Sequence, residues 1–228
     1  MASSPSVQSP PAGTGLTTMS YNGTNEYFRP TESYTDLTGA AIVVNGDGNT
    51  LDMRPYEEGV FLYSTDVTGK SGIVFNGNDS TLINGDIISS TADTNTLMLY
   101  ETGTEDANFT GSSASTGFKT LTMDGNAWTL SGDINLTGSD ESTLLVNSGV
   151  LTLSGNVTSA GKTLINSGGG MLVDTTGSLT TPEINIAESA WFASTGTVTG
   201  DIHNIGTVMA YNALAGNESA AAGVKVNF

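Results

Sequence analysis

Hydrophobic positions in this 228-residue chain follow short two-residue alternations and no helical period. Leu144-Leu145-Val146, Val150-Leu151-Thr152-Leu153 and Gly196-Thr197-Val198-Thr199 are aliphatic or β-branched runs punctuated by Gly or Asn, the pattern of short strands joined by tight corners. A longer period lies over them: Asn147, Asn166, Asn185 and Asn204 are evenly spaced, one in about every 19 residues. Such a period describes a solenoid, in which one turn cannot bury its apolar face without its neighbours. The expected fold is all-β, a parallel β-helix with turns of roughly 19–25 residues and a few inserted loops. If successive turns rise by about 4.8 Å, the four asparagines stack and their amides bond along a ladder. The chain length then corresponds to roughly eight turns and an axis of about 40 Å.

Corners can be followed along the chain. Asn45-Gly46, Asn76-Gly77, Asp124-Gly125, Asn147-Ser148 and Asn166-Ser167 form one series, and Gly85-Asp86-Ile87, Gly132-Asp133-Ile134, Gly155-Asn156-Val157 and Gly177-Ser178-Leu179 form a second. Gly and Asn tolerate the positive φ that such bends require. Spacing is loose before Asn147, so surplus residues are expected to leave the coil as loops, at Met53 to Gly59 and at Glu101 to Gly117, with Thr96 to Tyr100 as a strand between them. Residues 1–15 read as a disordered leader, 16–40 as an aromatic cap or first turn (Tyr21, Tyr27, Phe28, Tyr34), 41–211 as the coil and 212–228 as an irregular end.

Composition narrows the partners. Six Lys and Arg against 23 Asp and Glu leave a net charge of −17, which repels nucleic acid and anionic membranes. Residues 1–141 carry 18 of the acids and four of the bases, so an electrostatic partner would meet the N-terminal half. No Cys is present, which removes disulfides and thiolate chemistry. No apolar run is long enough for a membrane-spanning helix, and Met1-Ala2-Ser3-Ser4-Pro5 lacks the basic and apolar regions of a secretory signal.

The even Asn register, the repeated SGNVT, TGSLT and TGTVT corners, the acidity and the richness in Gly, Ser, Thr and Asn resemble the passenger domain of bacterial type V autotransporters, in particular the AIDA-like adhesins. The likeness covers roughly residues 40–210. It implies a right-handed β-helix, exported across the outer membrane to the cell surface, that mediates adhesion, aggregation and biofilm growth. No translocator β-barrel or signal segment accompanies the match, so the expectation is a piece of a longer passenger. Its implied partner is another copy on a neighbouring cell, or a host protein or glycan.

Catalytic and metal readings find little in the residues. Lyases of β-helix fold need a clustered base and cations, whereas Arg29, Arg54, Lys70, Lys119, Lys162 and Lys225 lie in separate turns. His203 is the sole His and is expected to replace the aliphatic that Val146, Ile165 and Ile184 supply in neighbouring turns. Asn45-Gly46-Asp47-Gly48-Asn49 opens like a calcium loop, but Thr50 and Tyr56 stand where such a loop needs Gly and Glu. Catalytic residues, metal ligands and cofactors are therefore all expected to be none. An ice-binding face would need Thr-x-Thr on every turn, and Asn156-Val157-Thr158 and Ser178-Leu179-Thr180 break that series. The remaining candidates for contact are acidic, aromatic loop residues: Tyr56, Glu57 and Glu58, then Tyr100, Glu101, Glu105, Asp106 and Phe109. Aromatics supply area and carboxylates supply acceptors.

Overall fold

The computed structural model describes residues 19–28, 34–37, 42–46, 48–52, 71–76, 80–84, 87–89, 95–105, 118–139 and 142–210. Among these the chain is all-β, with parallel strands stacked as a β-solenoid of about five turns. Three faces recur. Face A is built from Thr96–Leu99, the first part of Thr120–Leu130, the first part of Ser142–Leu153, Lys162–Ile165, and the later parts of Ser178–Ile186 and Thr197–Asn204. Face B follows it with Thr102–Glu105, residues 127–130 and 149–153, Gly169–Val173, Trp191–Ser194 and Thr207–Ala210. Face C closes each turn through Ile134–Leu136, Asn156–Ser159 and residues 178–180 and 197–199.

Alternation determines which side chains enter the coil. On face A, Leu97, Leu121 and Leu144 stack in register and are fully buried, as are Leu99, Met123 and Val146 beside them. On face B the inward column runs Trp128, Leu151, Met171 and Phe192, and a second runs Leu130, Leu153 and Val173. Each inward residue rests on its counterpart one rung away, so the core is a continuous column with no separate domain centres.

Polar groups also sit inside, and each of the following finds a partner. Where face C turns into face A, Thr143, Ser159, Thr163 and Thr181 are buried. The Thr143 and Ser159 hydroxyls bond each other, Thr163 Oγ1 donates to Thr181 Oγ1 at 3.2 Å, and Thr181 Oγ1 also reaches the Gly161 carbonyl at 3.0 Å. Hydroxyls that stack between rungs satisfy themselves away from water, which removes the desolvation cost of burying them.

The turn count is lower than expected, for a structural reason. Along face A the strands recur at uneven spacings, longest at the N-terminal end where Thr96 pairs with Thr120 and shortest at the C-terminal end where Ile184 pairs with Ile202. Upstream the winding is interrupted: Ser71–Asn76 pairs antiparallel with both Tyr34–Leu37 and Ser80–Asn84. Asn76 therefore ends a strand of an antiparallel pair, and Gly77, the second residue of that expected corner, lies outside the described residues. The chain rejoins the stack when Ser80–Asn84 pairs in parallel with Thr102–Glu105. Met19–Asn22, Ile42–Asn45 and Ile87–Ser89 form a separate three-stranded parallel sheet. Within residues 16–40, Tyr21 and Phe28 are buried with ring centroids 5.1 Å apart. Residues 1–15, the loop Met53 to Gly59 and residues 212–228 lie outside the described residues.

Candidate interaction surface

The acidic-loop residues do not form one patch. Tyr56, Glu57, Glu58, Asp106 and Phe109 lie outside the described residues. Tyr100 and Glu101 make the corner between faces A and B: the Tyr100 carbonyl accepts from Trp128 Nε1 at 2.8 Å, and the Glu101 carbonyl accepts from Asn126 N at 2.6 Å. Glu101 bends the chain with φ 53° and takes a further bond from Asn126 Nδ2 at 3.3 Å. Glu105 is not a surface carboxylate at all. It is 3% exposed, and its Oε2 accepts from the amides of Ser131 and Gly132 at 3.1 and 2.9 Å. Two-residue alternation from Gly103 points it inward, where it caps the next rung's corner.

The asparagine ladder has one rung, since Asn166 Nδ2 donates to Asn147 Oδ1 at 2.8 Å and the stack then breaks. Thr163 pairs with Ile184, so Asn185 stands over Leu164 and its amide turns to Glu183 Oε1 at 2.7 Å. Asn204 pairs with Ile186 and accepts from Gly206 N at 2.9 Å. The same shift moves His203 out of the aliphatic column. It pairs with Asn185 and is exposed, while Ile202 takes the inward place.

A different ladder does the buried work. Asn49 and Asn95 are 1% and 0% exposed, and Asn95 Oδ1 accepts from Asn49 N at 2.9 Å. Asn49 in turn accepts from Glu26 N at 3.0 Å and donates to the Gly23 carbonyl at 3.1 Å. Its side chain is thus committed to the backbone of the preceding turn and is unsuited to a calcium loop. Both residues open an Asn-Thr-Leu tripeptide, Asn49-Thr50-Leu51 and Asn95-Thr96-Leu97, a repeat that marks the start of face A.

Outside the coil the three faces differ in chemistry. Face C is polar: Asn156 Nδ2 donates to Asp133 Oδ1 and Ser178 Oγ to Asn156 Oδ1, both at 2.8 Å. Asn156, Ser178 and Thr197 share one column, and Thr158, Thr180 and Thr199 the next. Face A carries an ion pair, Lys162 to Glu183 at 3.1 Å, beside an open groove of about 450 Å³ lined by Leu164, Asn166, Asn185, His203 and Ile205. The bonds from Asn185 and Lys162 hold the Glu183 carboxyl below its usual range.

Face B is the exception. Its outer columns are Thr102, Ala127, Val150, Gly170, Trp191 and Thr207 in one register, and Thr104, Thr129, Thr152, Leu172, Ala193 and Met209 in the other, with Gly170 and Ala193 themselves buried. None is charged, in a chain of net charge −17. Trp191 is half-buried because its indole lies over Gly170, where an added Cβ would come within 2.1 Å of the ring. Glycine at that place lets the indole lie flat with its far side outward. Such strands read as apolar on both faces, in Gly170-Met171-Leu172-Val173 and Trp191-Phe192-Ala193, and that continuous run is the sequence signal for a covered outer face.

The corner between faces B and C depends on one carboxylate. Burial alone would raise the Asp174 pKa, but bonds from Ser154 Oγ, from the amide and hydroxyl of Thr176 and from Gly177 N outweigh it and hold the group below its ordinary value. A folded-state pKa below the unfolded one adds stability that is complete above the ordinary carboxylate range, about pH 4, and disappears as pH falls through the folded value. Asp174→Asn should therefore lower stability at pH 7 and flatten its decline between about pH 5 and pH 2. Urea titrations across that range test this, and parallel pH profiles for the two proteins would refute the role given to Asp174.

No family model matches the chain, and neither a curated protein nor a solved structure matches it.

Proposed function

We propose that this chain is a segment of a bacterial surface adhesin, exported to the cell exterior, that acts by non-catalytic binding through the side of its coil. The observation that carries the reading is the outer side of face B, a stripe of uncharged, largely apolar residues in a chain of net charge −17. An acidic surface keeps copies apart and soluble, and an uncharged stripe is where contact costs least desolvation. A rigid parallel coil holds that stripe straight, since each rung is hydrogen-bonded to the next along its length.

Beads coated with the chain should attach to bacterial or host-cell surfaces, and Leu172→Lys with Thr152→Lys should reduce attachment at least ten-fold. Both positions face outward on face B, so the fold should be retained, as circular dichroism would show. Replacing Glu57, Glu58, Glu101 and Asp106 together tests the acidic loops on the same beads. Coated beads that attach no better than uncoated ones would end the adhesin reading.

A further inference from the structure

The outer side of face B offers more than a generic contact, and we infer that it is a binding platform for a neutral, extended glycan laid along the coil axis. The inference rests on the adhesin reading and names its partner. Trp191 supplies the platform: its indole is seated on Gly170, with one ring face against the backbone and the other outward. A pyranose ring presents a face of C–H groups that stacks on such a surface, while its hydroxyls need acceptors and donors at the sides. Thr207, one rung beyond Trp191 in the same column, and Thr152, one rung before Leu172 in the neighbouring column, supply hydroxyls along the stripe.

Charge and size both favour a glycan over a protein partner. The twelve positions of the two columns from Thr102 to Met209 carry no charge, so an acidic glycan gains no cation there and still meets a chain with more acids than bases. A second copy would bring its own Asp124 and Asp174, at the corners of the face, against those of the first. The area is also small. Six rungs at about 4.8 Å and two columns give a footprint on the order of 400 Å². A stable protein interface takes about 800 Å² from each partner. A stripe roughly 25 Å long fits a few sugars end to end. Its straightness selects a β-linked chain that runs extended over an α-linked one that coils.

The test uses the full chain with three probes: a β-1,4-glucose pentamer, an α-1,4-glucose pentamer and a β-1,4-linked uronate pentamer. Trp128 is 1% exposed, so a ligand-induced fluorescence change reports Trp191. The β-glucan should shift the emission with saturable, weak affinity, the α-glucan should bind at least ten-fold more weakly, and the uronate should not bind. Leu172→Lys should abolish the β-glucan response while circular dichroism stays unchanged, and Trp191→Phe should retain part of the affinity, read by calorimetry. No binding of the β-glucan at millimolar concentration, or equal binding of all three probes, would overturn the inference. Sedimentation showing dimers that Leu172→Lys dissolves would overturn it too, assigning the face to a second copy. In either case beads that still attach to cells leave the adhesin reading standing, and beads that never attach remove it.

Discussion

Trp128→Ala should cost about 3–5 kcal/mol of folding stability. The indole is 1% exposed and is the largest fully buried side chain among the described residues. It lies between Gly103 and Leu151 in the inward column of face B, so close to Gly103 that an added Cβ there would come within 2.4 Å of the ring. Its Nε1–H also satisfies the Tyr100 carbonyl. Truncation leaves a cavity spanning two rungs, and main-chain rungs hydrogen-bonded on both sides cannot close over it. Since a domain of this size is stable by about 5–15 kcal/mol, the loss is at least about a fifth of the total. The stack is one-dimensional, so the damage should be local: amides of residues 96–105 should lose exchange protection before those of 162–186. Urea denaturation with residue-resolved hydrogen exchange measures both. A loss under about 1 kcal/mol would show that the rungs collapse onto the gap and that the packing described is wrong.

The second large effect belongs to Glu105. Replacing it by Ala removes the acceptor of two corner amides, Ser131 and Gly132, the latter a buried bond. Hydrogen bonds to charged groups contribute about 1.5–3 kcal/mol, and a buried donor left without a partner adds a similar penalty, so a loss of about 3 kcal/mol is expected. Glu105→Gln keeps one carbonyl oxygen in place and should lose about 1 kcal/mol. Thermal denaturation ranks the three proteins. If Ala and Gln are equally mild, the carboxylate is not what holds the corner.

Read along the sequence, Glu105 belongs to a contact loop because Glu101, Glu105 and Asp106 are close in the chain. Proximity in sequence does not say which of two faces a strand residue takes. Thr102–Glu105 is a strand, and alternation divides its neighbours between solvent and core. The asparagine register fails for a related reason. Asn147 and Asn166 stack, but turn length then changes. The turn from Thr163 to its partner Ile184 is longer than the Asn spacing, and the next, from Ile184 to Ile202, is shorter. Identical residues at constant spacing therefore fall out of step with the rungs. The better marker is the Thr-Leu pair at 50–51, 96–97, 120–121, 143–144 and 163–164, which tracks face A although its spacing varies. Even there a register shift between Ser142 and Leu144 turns Thr163 inward and leaves Leu164 half-exposed.

By itself, the sequence determined the class of structure. Two-residue alternation excludes helices, Gly and Asn corners limit strand length, and a repeat of about 20 residues requires turns that share a core. The tertiary structure alone decided register and outward chemistry. A strand's side chains alternate strictly, so a one-residue change in turn length exchanges core for solvent along the whole strand. That choice is made by the rung already in place, through hydrogen bonds and stacked apolar columns, and is not encoded in any local segment. It is also why the uncharged outer side of face B, assembled from residues 102 to 209 across six rungs, is marked locally only by short runs such as Gly170 to Val173 and Trp191 to Ala193 and becomes one stripe through stacking alone.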